Sequence, residues 1–301
     1  MRVGICCSGV GPAAAPSFIT HAAKTAERLG FSTFWTGEHV VLFEAYPESK
    51  YPYAGDYGTD VPVPDPTAPI IDPIIAMTWA AAATTRIEVG SGIVILPQRN
   101  PVVLAKEVAT LDALSGGRAV LGVGVGWCKE EYDAVGADWP GRGKRTDEHI
   151  AALRALWNNT ASSFHGETVN FDRAYLFPKP ARPGGLPILV GGESDVALKR
   201  AARLGDGWIA FKLPVGDAAA RIARLRALTA EQGRDPDRLR IVTAIFSHTS
   251  LDDMKRYRDA GVTEFNLVTA GELPLDEAGL TAGLEDFARR LLEPAFKLQA
   301  I

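Results

Sequence analysis

Residues 86–126 read RIEVGSGIVILPQRNPVVLAKEVATLDALSGGRAVLGVGVG and contain one complete unit of the fold. A β-branched run over 87–94 opens it, because two substituents on Cβ suit a pleated chain. Asn100-Pro101 then sets a capping amide before a proline at the first helical position, where the missing N–H is one the helix could not use. Over the next residues apolar side chains recur at three and four, so one helix face turns inward. Ser115-Gly116-Gly117-Arg118 stops that helix, and AVLGVGVG begins a second strand, apolar throughout and therefore buried.

Working outward in both directions, the same strand-then-helix unit recurs about eight times. The expected strands are 2–6, 32–36, 87–94, 119–124, 187–191, 207–212, 240–246 and 263–268. Helical patterns lie near 17–29, 72–83, 101–114, 144–158, 195–204, 217–232, 251–260 and 279–296. Leu29-Gly30-Phe31 and Ala260-Gly261-Val262 both close a helix on glycine before a new strand, with Gly116 and Gly205 at similar junctions, where a left-handed terminal residue is expected. Such alternation predicts an α/β fold with a parallel sheet under helices. Closure into a (β/α)8 TIM barrel leaves no sheet edge, and an open doubly wound sheet is the alternative. The reading takes residues 1–301 as a single barrel domain. Three connections, near 37–70, 125–143 and 159–186, exceed the usual length of about two to six residues and are expected as lids over the C-terminal face. The third reads as a small hairpin with a proline-stiffened exit.

Composition narrows the partners. Thirty-two Lys and Arg face thirty-six Asp and Glu without a basic block, which argues against nucleic acid. The apolar stretch from Ile70 to Ala83 contains Asp72 and Pro73 and falls short of the roughly 20 residues a membrane span needs, so no membrane association is expected. Cys6, Cys7 and Cys128, an odd number after a start too short in apolar residues for a signal peptide, point to free thiols in a cytoplasmic setting.

A barrel keeps its chemistry at the C-terminal ends of its strands, which filters the candidates. Cys7 and Ser8 follow the first strand, Glu38 and His39 the second, Pro97 to Asn100 the third, and Val125, Gly126, Trp127, Glu130 and Glu131 the fourth. Of the five histidines only His39 stands at a mouth position that also offers a neighbouring acid; His21 and His149 fall in helices, His165 in the hairpin, and His248 between Ser and Thr after the seventh strand. An imidazole there suits proton transfer near neutral pH. Gly191-Gly192-Glu193-Ser194 leads from the fifth strand into a helix start, where free amides make an anion site; an ordinary capped turn is the competing reading. Gly122, Gly124 and Gly126 lack the dinucleotide spacing, so they are read as letting a flat ring pack on the strand end. Glu130 and Glu131 are read as structural acids in a first helical turn, and Arg142, Lys144 and Arg145 as a solvated basic turn. No zinc-spaced cysteines, H-E-x-x-H or G-x-S-x-G occurs, so no metal site is expected.

FSTFWTGEHV (31–40), the run from Val89 to Gly136, FHGETV (164–169), LFPKP (176–180) and PILVGGESDVALKRAARLGDGWI (187–209) together resemble the luciferase-like flavin and deazaflavin oxidoreductases. The resemblance is to the bacterial branch that uses the 5-deazaflavin coenzyme F420. It implies a (β/α)8 barrel with the ring across the third and fourth strands, a non-proline cis peptide near Gly92-Ile93 beneath it, and His39 near its reactive face. It further implies Val125 and Gly126 against the ring through backbone, and Gly191, Gly192 and Ser194 on the cofactor phosphate. Trp127 stands where some sugar-phosphate dehydrogenases of this superfamily carry an acid, so Trp127 and the aromatics Trp35, Phe43, Tyr46, Tyr51, Tyr53 and Tyr57 suggest a more apolar substrate pocket, with Glu38 and Trp127 expected to face the substrate.

The expected activity is hydride transfer between F420 and a small organic substrate, with His39 as proton donor or acceptor. The first alternative is a two-component monooxygenase using reduced FMN delivered by a flavin reductase, and the second a non-catalytic flavin-binding barrel. A phosphosugar isomerase lacks a convincing acid/base pair. Homodimerisation is carried by the resemblance alone.

Overall fold

Thr33–Thr36 (β2) lies parallel between Arg2–Cys6 (β1) and Glu88–Ser91 (β3), pairing Cys6 with Trp35 and Trp35 with Gly90. This computed structural model describes residues 1–7, 9–50, 65–182, 185–269, 273–274 and 276–294. The sheet continues from β3 to Ala119–Gly124 (β5), Ile188–Gly191 (β8), Gly207–Ala210 (β9), Arg240–Ile245 (β10) and Glu264–Val268 (β11). β11 returns to β1 in register from Arg2↔Glu264 to Cys6↔Val268, so eight parallel strands close a barrel. A short piece, Val94–Ile95 (β4), extends the line of β3 beyond a break and pairs with β5.

Helices Pro16–Leu29 (α1), Pro73–Ala83 (α2), Pro101–Ser115 (α3), Lys129–Ala134 (α4), Arg142–Asn158 (α5), Asp195–Leu204 (α6), Val215–Glu231 (α7), Leu251–Ala260 (α8) and Glu277–Phe287 (α9) fill the connections. Their starts follow the sequence signals: Asp72 accepts from the amides of Ile74 and Ile75 (2.8 and 3.0 Å), and Asn100 from Val102 and Val103 (2.9 and 3.2 Å). Gly30, Gly116 and Gly261 end helices at positive φ, as the junctions predict. Gly205 differs: it is extended (φ −87°), and glycine is required there because a Cβ would lie 2.8 Å from the Gly207 carbonyl.

The main core lies between barrel and helices, and a smaller one fills the barrel itself with Trp35, Val120, Leu189, Ile209 and Val242. The Trp35 indole occupies the axis because β1 and β3 present glycine to it; a Cβ at Gly4 or Gly90 would stand 2.7 or 2.5 Å from the ring. Below it, at the N-terminal ends of the strands, an ionic cluster seals the barrel. Glu264 accepts from Arg2 (3.0 Å), Arg240 (2.6 Å) and the Trp35 indole N–H (3.3 Å), while Glu88 binds Arg2, Arg240 and Arg182.

The long connections do not all rise over the mouth. The third contains the expected hairpin, Ser162–His165 (β6) against Asn170–Ala174 (β7). It runs along α5, where Glu148 accepts from Thr168 and Val169 (2.8 and 2.7 Å), and its exit passes the closed end at Arg182. The reason is topological: this segment follows a helix, so it returns to the N-terminal ends of the strands. The described parts of the first two connections, which follow strands, sit at the mouth.

Candidate functional site at the barrel mouth

The turn after β2 is tied to the end of the third barrel strand. Glu38 accepts hydrogen bonds from the Ile95 amide and from the Arg99 guanidinium, which also reaches Asp72 (2.5 Å). The Glu38 side chain is only 1% exposed. Burial pushes its carboxyl above the ordinary range, against the opposing pull of Arg99 and the Ile95 amide. Both oxygens have partners within the protein, and Glu38 fixes the turn that carries His39. Arg99 was not singled out by the sequence, although its position after the third strand was.

His39 projects beside Trp127, ring centroids 5.8 Å apart and edge to face, and Trp127 in turn packs on Tyr46 (5.7 Å). Its Nδ1 lies 3.2 Å from Oε2 of Glu131, while Oε1 of Glu131 accepts from the amides of Val40 (2.7 Å) and Val41 (3.4 Å). The acid expected to decorate the first turn of a helix is thus wholly buried at the site, and its neighbour Glu130 takes the amide of Glu48 (2.9 Å) and the hydroxyl of Ser49. α4 thereby fastens residues 39–49 to the mouth. No local pattern announced this, since His39 and Glu131 stand 92 residues apart.

Between β3 and β4 the Gly92–Ile93 peptide is cis. The Ile93 side chain lies between the fourth and fifth barrel strands: a Cβ on Gly124 would stand 2.5 Å from it, and one on Gly191 3.0 Å. A Cβ on Gly122 would strike the Ser91 carbonyl, and one on Gly126 would lie 2.8 Å from Ile95. Gly122 and Gly124 of β5 therefore make room for this bulge. The carbonyl of Val125 accepts from the Tyr132 hydroxyl (2.6 Å).

In the turn after β8, Gly192 adopts φ +107°, donates to the Ile209 carbonyl (3.2 Å) and accepts from the Trp208 indole (2.7 Å). Ser194 caps α6 by accepting from the Ala197 amide (3.2 Å). Glu193 turns away to the amides of Phe211 (2.7 Å) and Lys212 (3.3 Å), and Asp195 pairs with Arg221 (2.8 Å). Gly191 reaches the bulge through Ile93, whereas Gly192 and Ser194 are engaged with β9 and α6. The amides of Asp195 and Val196, in the first turn of α6, have no carbonyl one turn back to donate to.

The rest of the molecule offers less. Arg142 stacks on Trp139 (3.6 Å), and Lys144 and Arg145 bind Glu167 and the Asp138 carbonyl. A cleft of about 400 Å³ is lined by residues of α5, α6 and α7, and its Arg200 and Arg203 are paired with Asp147. Ser8, Tyr51, Tyr53 and Tyr57 fall outside the described residues. Among the described residues no cluster of metal-ligating side chains occurs, and no helix is long and apolar enough to cross a membrane.

The sequence profile of luciferase-like monooxygenases matches residues 1–270. The chain belongs to this family. Among luciferase-like relatives, an uncharacterized protein of Mycobacterium tuberculosis is 35% identical over 260 residues, covering 85% of this chain and 86% of the relative. A 5,10-methylenetetrahydromethanopterin reductase of Archaeoglobus fulgidus is 30% identical over 223 residues (73% and 65% of the two chains). An FMNH2-dependent dimethylsulfone monooxygenase of Pseudomonas putida is 34% identical over 155 residues (50% and 42%). The luciferase-like fold is matched by the coenzyme F420-dependent tetrahydromethanopterin reductase of Methanopyrus kandleri, with a TM-score of 0.74 at 17% identity over 97% of this chain and 98% of that one.

Proposed function

We propose that this luciferase-like protein transfers a hydride between coenzyme F420 and a small, largely apolar organic substrate, with His39 carrying the balancing proton. The observation that carries the reading is the His39–Glu131 pair, anchored at the mouth by a turn that Glu38 ties to the cis Gly92–Ile93 bulge. A deazaflavin, when bound, supplies hydride transfer at C5 of its ring. The protein supplies position and dryness. Ile93 and the backbone at Val125 and Gly126 would support the ring, and Gly191, Gly192, Ser194 and the start of α6 would hold the phosphate. The fit is carried by main chain: Gly192 sits at a φ that side chains rarely adopt, and the two nearby acids, Glu193 and Asp195, are turned to other partners. Trp127, Tyr46 and Phe43 would exclude water above His39 and favour an apolar substrate.

The second reading, oxygenation with reduced FMN from a partner reductase, is favoured by the 34% identity to the dimethylsulfone monooxygenase over half of this chain. Oxygen separates the two. The protein is incubated with reduced F420 or reduced FMN and a panel of apolar ketones, enones and sulfones, with and without 18O2. Reoxidation of the deazaflavin without oxygen, reduced roughly 10²–10⁴-fold in His39→Gln, is expected. Label in the product with FMN alone would replace this reading by the monooxygenase.

A further inference from the structure

We infer that Glu131 is a positioning residue that decides which nitrogen of His39 holds the proton. The inference rests on reading His39 as the proton carrier, but its primary test does not require turnover. The Glu131 side chain is completely buried, and no Lys or Arg pairs with it among the described residues. Its partners are the Val40 and Val41 amides on Oε1 and the His39 ring on Oε2.

A carboxylate can only accept hydrogen bonds, so the His39 nitrogen facing it must donate. The neutral ring is then the Nδ1–H tautomer, and its lone pair is on Nε2, which makes no hydrogen bond among the described residues. Nε2 is thereby the atom that takes a proton from, or returns it to, a ligand at the mouth. The same carboxylate grips the two amides that follow His39, so ring orientation and the course of the chain are set by one group. Trp127 packs edge to face against the imidazole and limits its rotation.

Glutamine separates shape from chemistry at this position. Its side chain has one acceptor oxygen where glutamate has two. The Val40 and Val41 amides can only donate and together claim that oxygen, which leaves the glutamine NH2 against His39 Nδ1. An NH2 donates, so Nδ1 must become the acceptor and the neutral ring must switch to Nε2–H. Glu131→Gln should therefore preserve the fold and invert the tautomer.

The test is 15N NMR of full-length protein labelled at histidine, recorded at a pH where the ring is neutral. The His39 signals are identified by their loss in His39→Gln. The expected result is a protonated Nδ1 and a bare Nε2 in the wild type, exchanged in Glu131→Gln. In that variant kcat should fall roughly 10²–10⁴-fold with KM little changed, and adding His39→Gln should cost little more, because the two residues act as a unit. A wild-type ring protonated on Nε2 overturns the inference, as does a folded Glu131→Gln protein with an unchanged tautomer. Should the variant not fold, the wild-type spectrum alone decides. Correct tautomers in a protein that turns over neither cofactor would refute the proposed reaction while leaving the role of Glu131 standing.

Discussion

Two glutamates are wholly buried at opposite ends of the barrel, and their surroundings have little in common. At the closed end, Glu264 meets two guanidiniums, Arg2 and Arg240, together with the Trp35 indole. At the mouth, Glu131 meets two backbone amides and one imidazole. Permanent cations neutralise the first and lock the strand ends together. Neutral donors and a single titratable ring orient the second. The contrast teaches that one fold can hold the same buried side chain as a fastener among cations at one end and as an anchor for an imidazole at the other.

Removing each acid should break the comparison in opposite ways. Glu264→Ala leaves Arg240 facing a buried gap and should cost about 3–5 kcal/mol of stability in urea unfolding, with little change in cofactor affinity. Next in size is Arg99→Ala, which strips the buried Glu38 of its guanidinium while leaving it the Ile95 amide. It should cost about 2–3 kcal/mol and also weaken cofactor binding, because the turn carrying His39 is then held to the third barrel strand by the Ile95 amide alone. Glu131→Gln should lower stability by only about 1 kcal/mol, since the isosteric amide keeps hydrogen bonds to the same partners. An unfolding cost for Glu131→Gln equal to that of Glu264→Ala would erase the distinction between the two ends.

A separate effect concerns thiols near the mouth. Burial pushes Cys6 up to about 11, and Cys7 and Cys128 up to about 12. They should stay protonated and resist Ellman's reagent at pH 8 in the native state, and react once the protein is unfolded. The native state holds these protons more tightly than the unfolded chain, so stability should fall as pH rises from about 9 towards 11. Rapid native labelling at pH 8 would contradict the buried placement.

The barrel was legible because its signals are local. Strands 2–6 and 119–124 fall where β-branched and apolar runs put them, and α3 begins at the Asn100-Pro101 cap. Departures occur where distant chains meet. The expected strand 87–94 breaks after Ser91, because the cis bulge intervenes before β4. Gly122 and Gly124 were recognised as sites of close approach, but what approaches is Ser91 and Ile93 from the neighbouring strand, which no spacing encodes. His39 was found by its place after a strand. The contact of Glu131 with His39 was not foreseen, because an acid early in a helix has a sufficient local explanation, and only the folded chain brings it to the histidine.

The central claim, that this mouth takes a deazaflavin, is tested most directly by equilibrium titration of the purified protein with F420 and with FMN, each oxidised and reduced. F420 should bind at least roughly tenfold more tightly than FMN, a difference of about 1.4 kcal/mol, and Gly192→Val should weaken it by obstructing the turn at the start of α6. Binding of neither cofactor, or of reduced FMN alone, would contradict the account.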